Sequence, residues 1–153
     1  MRVARAVPAL LLVVSATGCS IFGGGDDEPA SVFSVKPGQC FLAPEEVEAQ
    51  IADLDEVPCG EPHDHEAYAV VPYETADEGG DEFPGDEALN AFANGACAQS
   101  FGAYVGVDYP DSELFFTYLL PSPRSWQEND RDVVCLITNA GTQLQGSVKG
   151  TKQ

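Results

Sequence analysis

Four cysteines, Cys40, Cys59, Cys97 and Cys135, constrain this chain more than any other feature. In a reducing compartment they would be thiols or metal ligands; in an oxidising one an even set reads as a disulfide framework. The N-terminus decides between the two. Arg2 and Arg5 precede an apolar run, Ala6 to Ala16, interrupted only by Pro8 and Ser15 and too short to span a bilayer. Ala16-Thr17-Gly18-Cys19 then follows the pattern of a bacterial lipobox, in which the Cys becomes the first residue of the mature protein and carries the lipid. Residues 1–18 therefore read as a lipoprotein signal peptide and Cys19 as the palmitate-type lipidation site. The expected location is the extracytoplasmic face of the cell membrane, held through the lipid.

With Cys19 assigned to the anchor, the other four are expected to form two bridges. Four cysteines allow three connectivities. The pairing expected is Cys40–Cys59, which closes a short loop, with Cys97–Cys135, which joins a helix to a strand. Each bridge contributes about 2–4 kcal/mol.

Residues 19–31, with Gly23-Gly24-Gly25 and Asp26-Asp27-Glu28, read as a flexible acidic linker, and 32–150 as a single domain with one core. Removal of the leader takes Arg2 and Arg5 and no acidic residue, so the formal charge moves from −18 to −20. A surface this acidic has no electrostatic route to nucleic acid or to an anionic membrane, so attachment falls to the lipid.

Along the domain, Val32–Val35 is a strand candidate followed by a Lys36-Pro37-Gly38 turn. Residues 44–53 could form a helical turn or two. His65–Val71 reads as a strand with Glu66, Tyr68 and Val70 on one face and His65, Ala67, Ala69 and Val71 on the other. The acidic stretch 75–82 does not fit calcium-loop spacing. Asp86 is the expected N-cap of the principal helix, whose buried stripe is Leu89, Phe92, Ala93, Ala96, Cys97, Ser100, Phe101, Tyr104 and Val105 and whose end falls between Gly102 and Gly106. Leu114–Leu120 is an apolar strand. Ser122-Pro123 starts a short helix carrying Trp126, with Asn129 as its left-handed stop. Arg131–Thr138 is a strand with Val133, Cys135 and Ile137 facing inward, and 143–149 a last strand joined to it through Asn139-Ala140-Gly141. The fold class is α+β: a small, mainly antiparallel sheet with one principal helix packed on it and two disulfides.

Gly38-Gln39-Cys40-Phe41, Val57-Pro58-Cys59, Pro62-His63-Asp64-His65-Glu66, Cys97, Trp126 followed by Asp130-Arg131, Val134-Cys135-Leu136 and Gly146-Ser147-Val148-Lys149-Gly150 resemble, in that order, the septum-formation family of actinobacterial envelope proteins. The resemblance spans residues 35–150. Where the family's pattern has Gly before Asp-Arg, this chain has Asn129, a residue that also visits the left-handed region. The resemblance implies a lipoprotein or membrane-anchored envelope domain linked to cell division, and implies no reaction and no catalytic residue.

The stretch from Cys59 to Glu66 concentrates metal-binding and proton-moving residue types. At i and i+2 of a strand, His63 and His65 would point the same way, and Glu61 could join them at a zinc or copper. Against this, a disulfide removes the Cys59 thiolate and Pro62 puts His63 in a turn. The reading preferred is a structural corner in which His63 or Asp64 caps the turn and sets the start of the next strand, with no metal and no cofactor. No Ser has a nucleophile-elbow signature and no C-x-x-C is present, so no catalysis is expected. Trp126 and Arg131 are candidate recognition residues. A Trp on a short capped helix is more often a core plug, and Arg131 among so many carboxylates reads as the anchor of an ion pair. The expectation is a lipid-anchored binding or interaction module of the cell envelope with an envelope or division protein as partner. Its alternative is a metal-binding envelope lipoprotein built on His63 and His65.

Overall fold

The computed structural model describes residues 30–31, 34–44, 53–74 and 82–153. The leader, Cys19 and most of the linker lie outside the described residues. So do Val32 and Phe33 of the first strand candidate, residues 45–52 of the expected helical turn, and 75–81 of the acidic stretch.

In chain order the strands are β1 (Ala30–Ser31), β2 (Cys40–Phe41), β3 (Asp53–Leu54), β4 (Glu56–Val57), β5 (Pro62–His63), β6 (His65–Pro72), β7 (Phe115–Leu119), β8 (Asp132–Thr138) and β9 (Leu144–Gln145). The helices are α1 (Asp86–Val105) and α2 (Pro123–Gln127). The main sheet has five strands in the order β4-β2-β6-β8-β7, every pairing antiparallel. Two short ribbons, β1 with β3 and β5 with β9, stand beside it. This is the α+β architecture expected from the sequence, with both expected disulfides formed: Cα atoms are 5.2 Å apart in Cys40–Cys59 and 5.5 Å apart in Cys97–Cys135.

The alternating sequence of β8 divides the interior in two. Val133, Cys135 and Ile137 face α1 and pack with Ala93, Cys97, Phe101, Tyr104 and Val105. Val134 and Leu136 face the other way, onto Val35, Phe41, Leu54 and Ala67. Both faces of the sheet's centre are thus apolar, as expected of strands covered on both sides. The Cys97–Cys135 bridge fixes α1 to the central strand through the middle of the first cluster.

Three local expectations are corrected. The N-cap of α1 is Gly85, at φ 90°, with no side-chain cap; Asp86 is instead the first helical residue, where with Glu87 it meets the positive end of the helix dipole. The C-terminus behaves as expected: Gly106 adopts φ 91° and donates its N–H to the Gly102 carbonyl. Residues 150–152 finish that end, with Gly150 N–H donating to Tyr104 O and Lys152 N–H to Val105 O.

The second correction concerns β6, whose register against β8 shifts between Ala67 and Ala69. The extra residue breaks the strict alternation. Tyr68, Ala69 and Val71 lie with the α1 cluster, while Ala67 and Val70 lie with the opposite one. Residues 68 and 70 therefore do not share a face.

The third concerns the last strand. Only Leu144–Gln145 is extended, and it pairs with β5 rather than β8. The Asn139–Thr142 turn closes on an isolated bridge, and Gly146 at φ 88° ends the extension. That turn carries Ser147 and Val148 over the start of β6, to a carboxylate that needs them.

Candidate functional site

The corner at 59–66 is built by crossing chains. Asp64 N–H donates to Phe41 O at 2.9 Å, and Asp64 Oδ2 accepts from Ala43 N–H at 2.8 Å and from the Gln143 amide at 3.4 Å. Asp64 thus caps the turn between β5 and β6, as expected of a short acidic residue there. His63 is fully buried on β5, opposite Leu144. Its Nδ1–H donates to the Glu61 carbonyl at 2.8 Å, which leaves Nε2 as the free ring position. Nε2 lies 3.8 Å from Glu66 Oε2 and has no hydrogen-bond partner among the described residues.

Glu66 is also fully buried, yet its carboxylate is well supplied with donors. Oε1 accepts from Tyr104 Oη–H and from Ser147 Oγ–H, both at 2.6 Å. Oε2 accepts from Val148 N–H at 2.8 Å. A buried carboxylate is tolerated only with such partners, and these come from α1 and from the segment after β9. Glu66 therefore ties together three parts of the chain. Burial, then the hydrogen bond to Glu66, pushes the Tyr104 phenol well above its ordinary value; burial does the same to Tyr68, whose hydroxyl donates to Cys97 O at 2.8 Å inside the core.

The expected trio of His63, His65 and Glu61 does not assemble. His63 belongs to β5 and His65 to β6, with the Asp64 turn between them, so the two-residue strand repeat does not carry from one to the other. The Glu61 side chain is exposed, and its carbonyl rather than its carboxylate meets His63. His65 is half-buried with its Nδ1 enclosed and unpartnered among the described residues; desolvation lowers its pKa, opposed by Asp64 and reinforced by His63. The potential ligand atoms that do come together are those of Cys40, His63 and Glu66, all within 4.8 Å of one another and all in fully buried residues. Sequence reasoning missed Glu66 as the centre. Its partners Tyr104, Ser147 and Val148 lie 38 to 82 residues away, and no local pattern marks them.

Trp126 is only 1% exposed, with the edges of Tyr73 and Phe83 against it, so it is a core plug. Its helix is capped as expected: Ser122 Oγ accepts from Ser125 N–H, Ser125 Oγ accepts from Ser122 N–H, and Asn129 takes φ 67°. Arg131 differs from expectation. Its guanidinium lies 3.7 Å over the Trp126 ring, and Nη1 donates to the carbonyls of Trp126 and Asp130 at 2.7 and 2.8 Å. Among the described residues it makes no ion pair. Stacking on a large ring with two carbonyls in reach satisfies a guanidinium without a carboxylate.

These features define a small disulfide-stapled α+β domain whose polar centre is a buried carboxylate. The family model described as septum formation matches residues 30–153, and the chain belongs to that family. No curated protein and no solved structure matches it.

Proposed function

We propose that the chain is a lipid-anchored, extracytoplasmic interaction module of the cell envelope that acts in septum formation without catalysis. The observation that carries this reading is the family match, which covers the whole described domain and names septum formation. Two disulfides fit an oxidising compartment, and the lipobox at Cys19 supplies the route to the membrane. The reactive residue types of the 59–66 corner support a role without chemistry: Cys59 is bridged, Asp64 caps a turn, and His63 and Glu66 are enclosed. The partner is an envelope or division protein.

Two measurements test it. The Cys19→Ala protein should leave the membrane fraction; retention there would refute the anchor. Cross-linking in intact cells followed by affinity capture should recover a septal protein with the wild type and lose it with Cys19→Ala. Normal septa after depletion of the protein, with no septal protein captured, would refute the division role.

A further inference from the structure

The His63 ring is held from one side and open on the other. Nδ1–H is fixed on the Glu61 carbonyl, which aims the Nε2 lone pair at Glu66 Oε2, 3.8 Å away. Both atoms are acceptors when the ring is neutral, and both side chains are fully buried. Two acceptors facing each other in a dry place are mutually unfavourable, and a cation between them reverses the sign. Cys40 Sγ joins this cluster: one ligand atom from each of Cys40, His63 and Glu66 lies within 4.8 Å of the other two. Imidazole nitrogen, carboxylate oxygen and thiolate sulfur together are a donor set for zinc-class divalent metals. In a tetrahedral zinc site with bonds of about 2.0–2.3 Å, ligand atoms stand roughly 3.3–3.7 Å apart, so side-chain shifts of about 1 Å close the set. One condition is unmet: Cys40 sulfur is bonded to Cys59 and is not a thiolate.

We propose that Cys40, His63 and Glu66 form a latent site for a zinc-class divalent metal, opened by reduction of the Cys40–Cys59 disulfide. Cys59 is half-exposed whereas Cys40 is fully buried, so an incoming dithiol reductant attacks Cys59 Sγ. The Cys40–Cys59 bond breaks, a mixed disulfide forms at Cys59, and Cys40 leaves as a thiolate beside His63 and Glu66. The second thiol of the reductant then displaces Cys59. Two electrons pass from the dithiol, which becomes a disulfide, and Cys40 and Cys59 take up the two protons it gives. Metal binding returns the Cys40 proton to solvent. Cys97 and Cys135 are both fully buried, which directs the exchange to the other bridge. This site is independent of the septation reading.

Cobalt(II) alone is the probe, since a cobalt–thiolate bond gives a near-ultraviolet charge-transfer band. The full chain carrying Cys59→Ser frees Cys40 without reductant and leaves Cys97–Cys135 intact. The Cys40→Ser, Cys59→Ser double variant keeps every other cysteine and sets the background. Cys59→Ser should bind one cobalt with a thiolate band above that background. Adding His63→Ala should weaken binding by more than about 100-fold, beyond what an outer partner contributes. A folded Cys59→Ser protein without the band, or one whose band survives His63→Ala, overturns the site. If Cys59→Ser does not fold, the wild type under a graded phosphine reductant is alkylated with and without zinc. Zinc should slow modification of Cys40 at least about tenfold; equal rates overturn the proposal.

Discussion

Replacing Glu66 with alanine should be among the most damaging single changes in this domain. The carboxylate accepts hydrogen bonds from Tyr104 and Ser147 at 2.6 Å and from Val148 N–H at 2.8 Å. Each bond to an ionised group contributes about 1.5–3 kcal/mol, but the three share one group and do not add. Truncation leaves two buried donors, Tyr104 Oη and Val148 N, and the part-buried Ser147 Oγ facing a hole that water fills only in part. Removing one member of a buried charged network costs about 3–5 kcal/mol. Against a total stability of about 5–15 kcal/mol, that is a large share. Urea unfolding with the disulfides intact should show the midpoint falling by roughly 2 M, for a slope of about 1–3 kcal/mol/M. A double-mutant cycle with Tyr104→Phe should return a coupling of about 1–3 kcal/mol. A loss below about 1 kcal/mol for Glu66→Ala, or strict additivity with Tyr104→Phe, would refute the claim that this carboxylate joins β6, α1 and the segment after β9.

His65 gives a pH prediction. Burial lowers its pKa from the ordinary 6.5, so the unfolded chain takes up that proton first. Its contribution to stability is complete above 6.5, falls as pH drops from there, and levels off below the folded-state pKa; His65→Gln should flatten that part of a stability–pH curve. Removing Cys97–Cys135 as a pair of alanines should cost about 4 kcal/mol and removing Cys40–Cys59 about 3 kcal/mol, from sequence separations of 38 and 19 in the loop-entropy model; chemical denaturation checks the order, and the reverse order would count against it. Ser122→Ala should cost about 1 kcal/mol through the lost cap and Trp126→Ala about 3–5 kcal/mol through the emptied core, both read from thermal melts.

Elements with a local cause were legible in the sequence. The stop at Gly106, the Ser122 cap, the left-handed Asn129 and the inward face of β8 each rest on a few neighbouring residues. The disulfides were legible because Cys97 and Cys135 each fall on an apolar periodic face. What escaped was fixed by distant chain. The bulge in β6 depends on its register against β8, and the pairing of β9 with β5 depends on where Gly146 turns. Around the candidate site, the sequence marked the right stretch and the wrong centre. His63 and His65 look alike as letters, but the first is buried on a strand paired with the distant Leu144, and the distant Tyr104, Ser147 and Val148 make a buried Glu66 tenable. Arg131 was misread because carboxylate abundance says nothing about which neighbour is nearest; the Trp126 ring is.

The Cys40–Cys59 bridge has a mechanical consequence. A pull applied through the N-terminal side of the domain reaches Cys40 and passes directly to Cys59, bypassing the residues between them. With a separation of 19 residues, the shunted chain would extend by roughly 60 Å if it were free to straighten. The β3 and β4 strands lie inside that loop and take load only through their pairing with β1 and β2 while the bond stands. The disulfide therefore limits how far the domain lengthens before β6 is strained. Its reduction would turn a stiff tether point into a slack one, and a force–extension trace would register the change as a single added step.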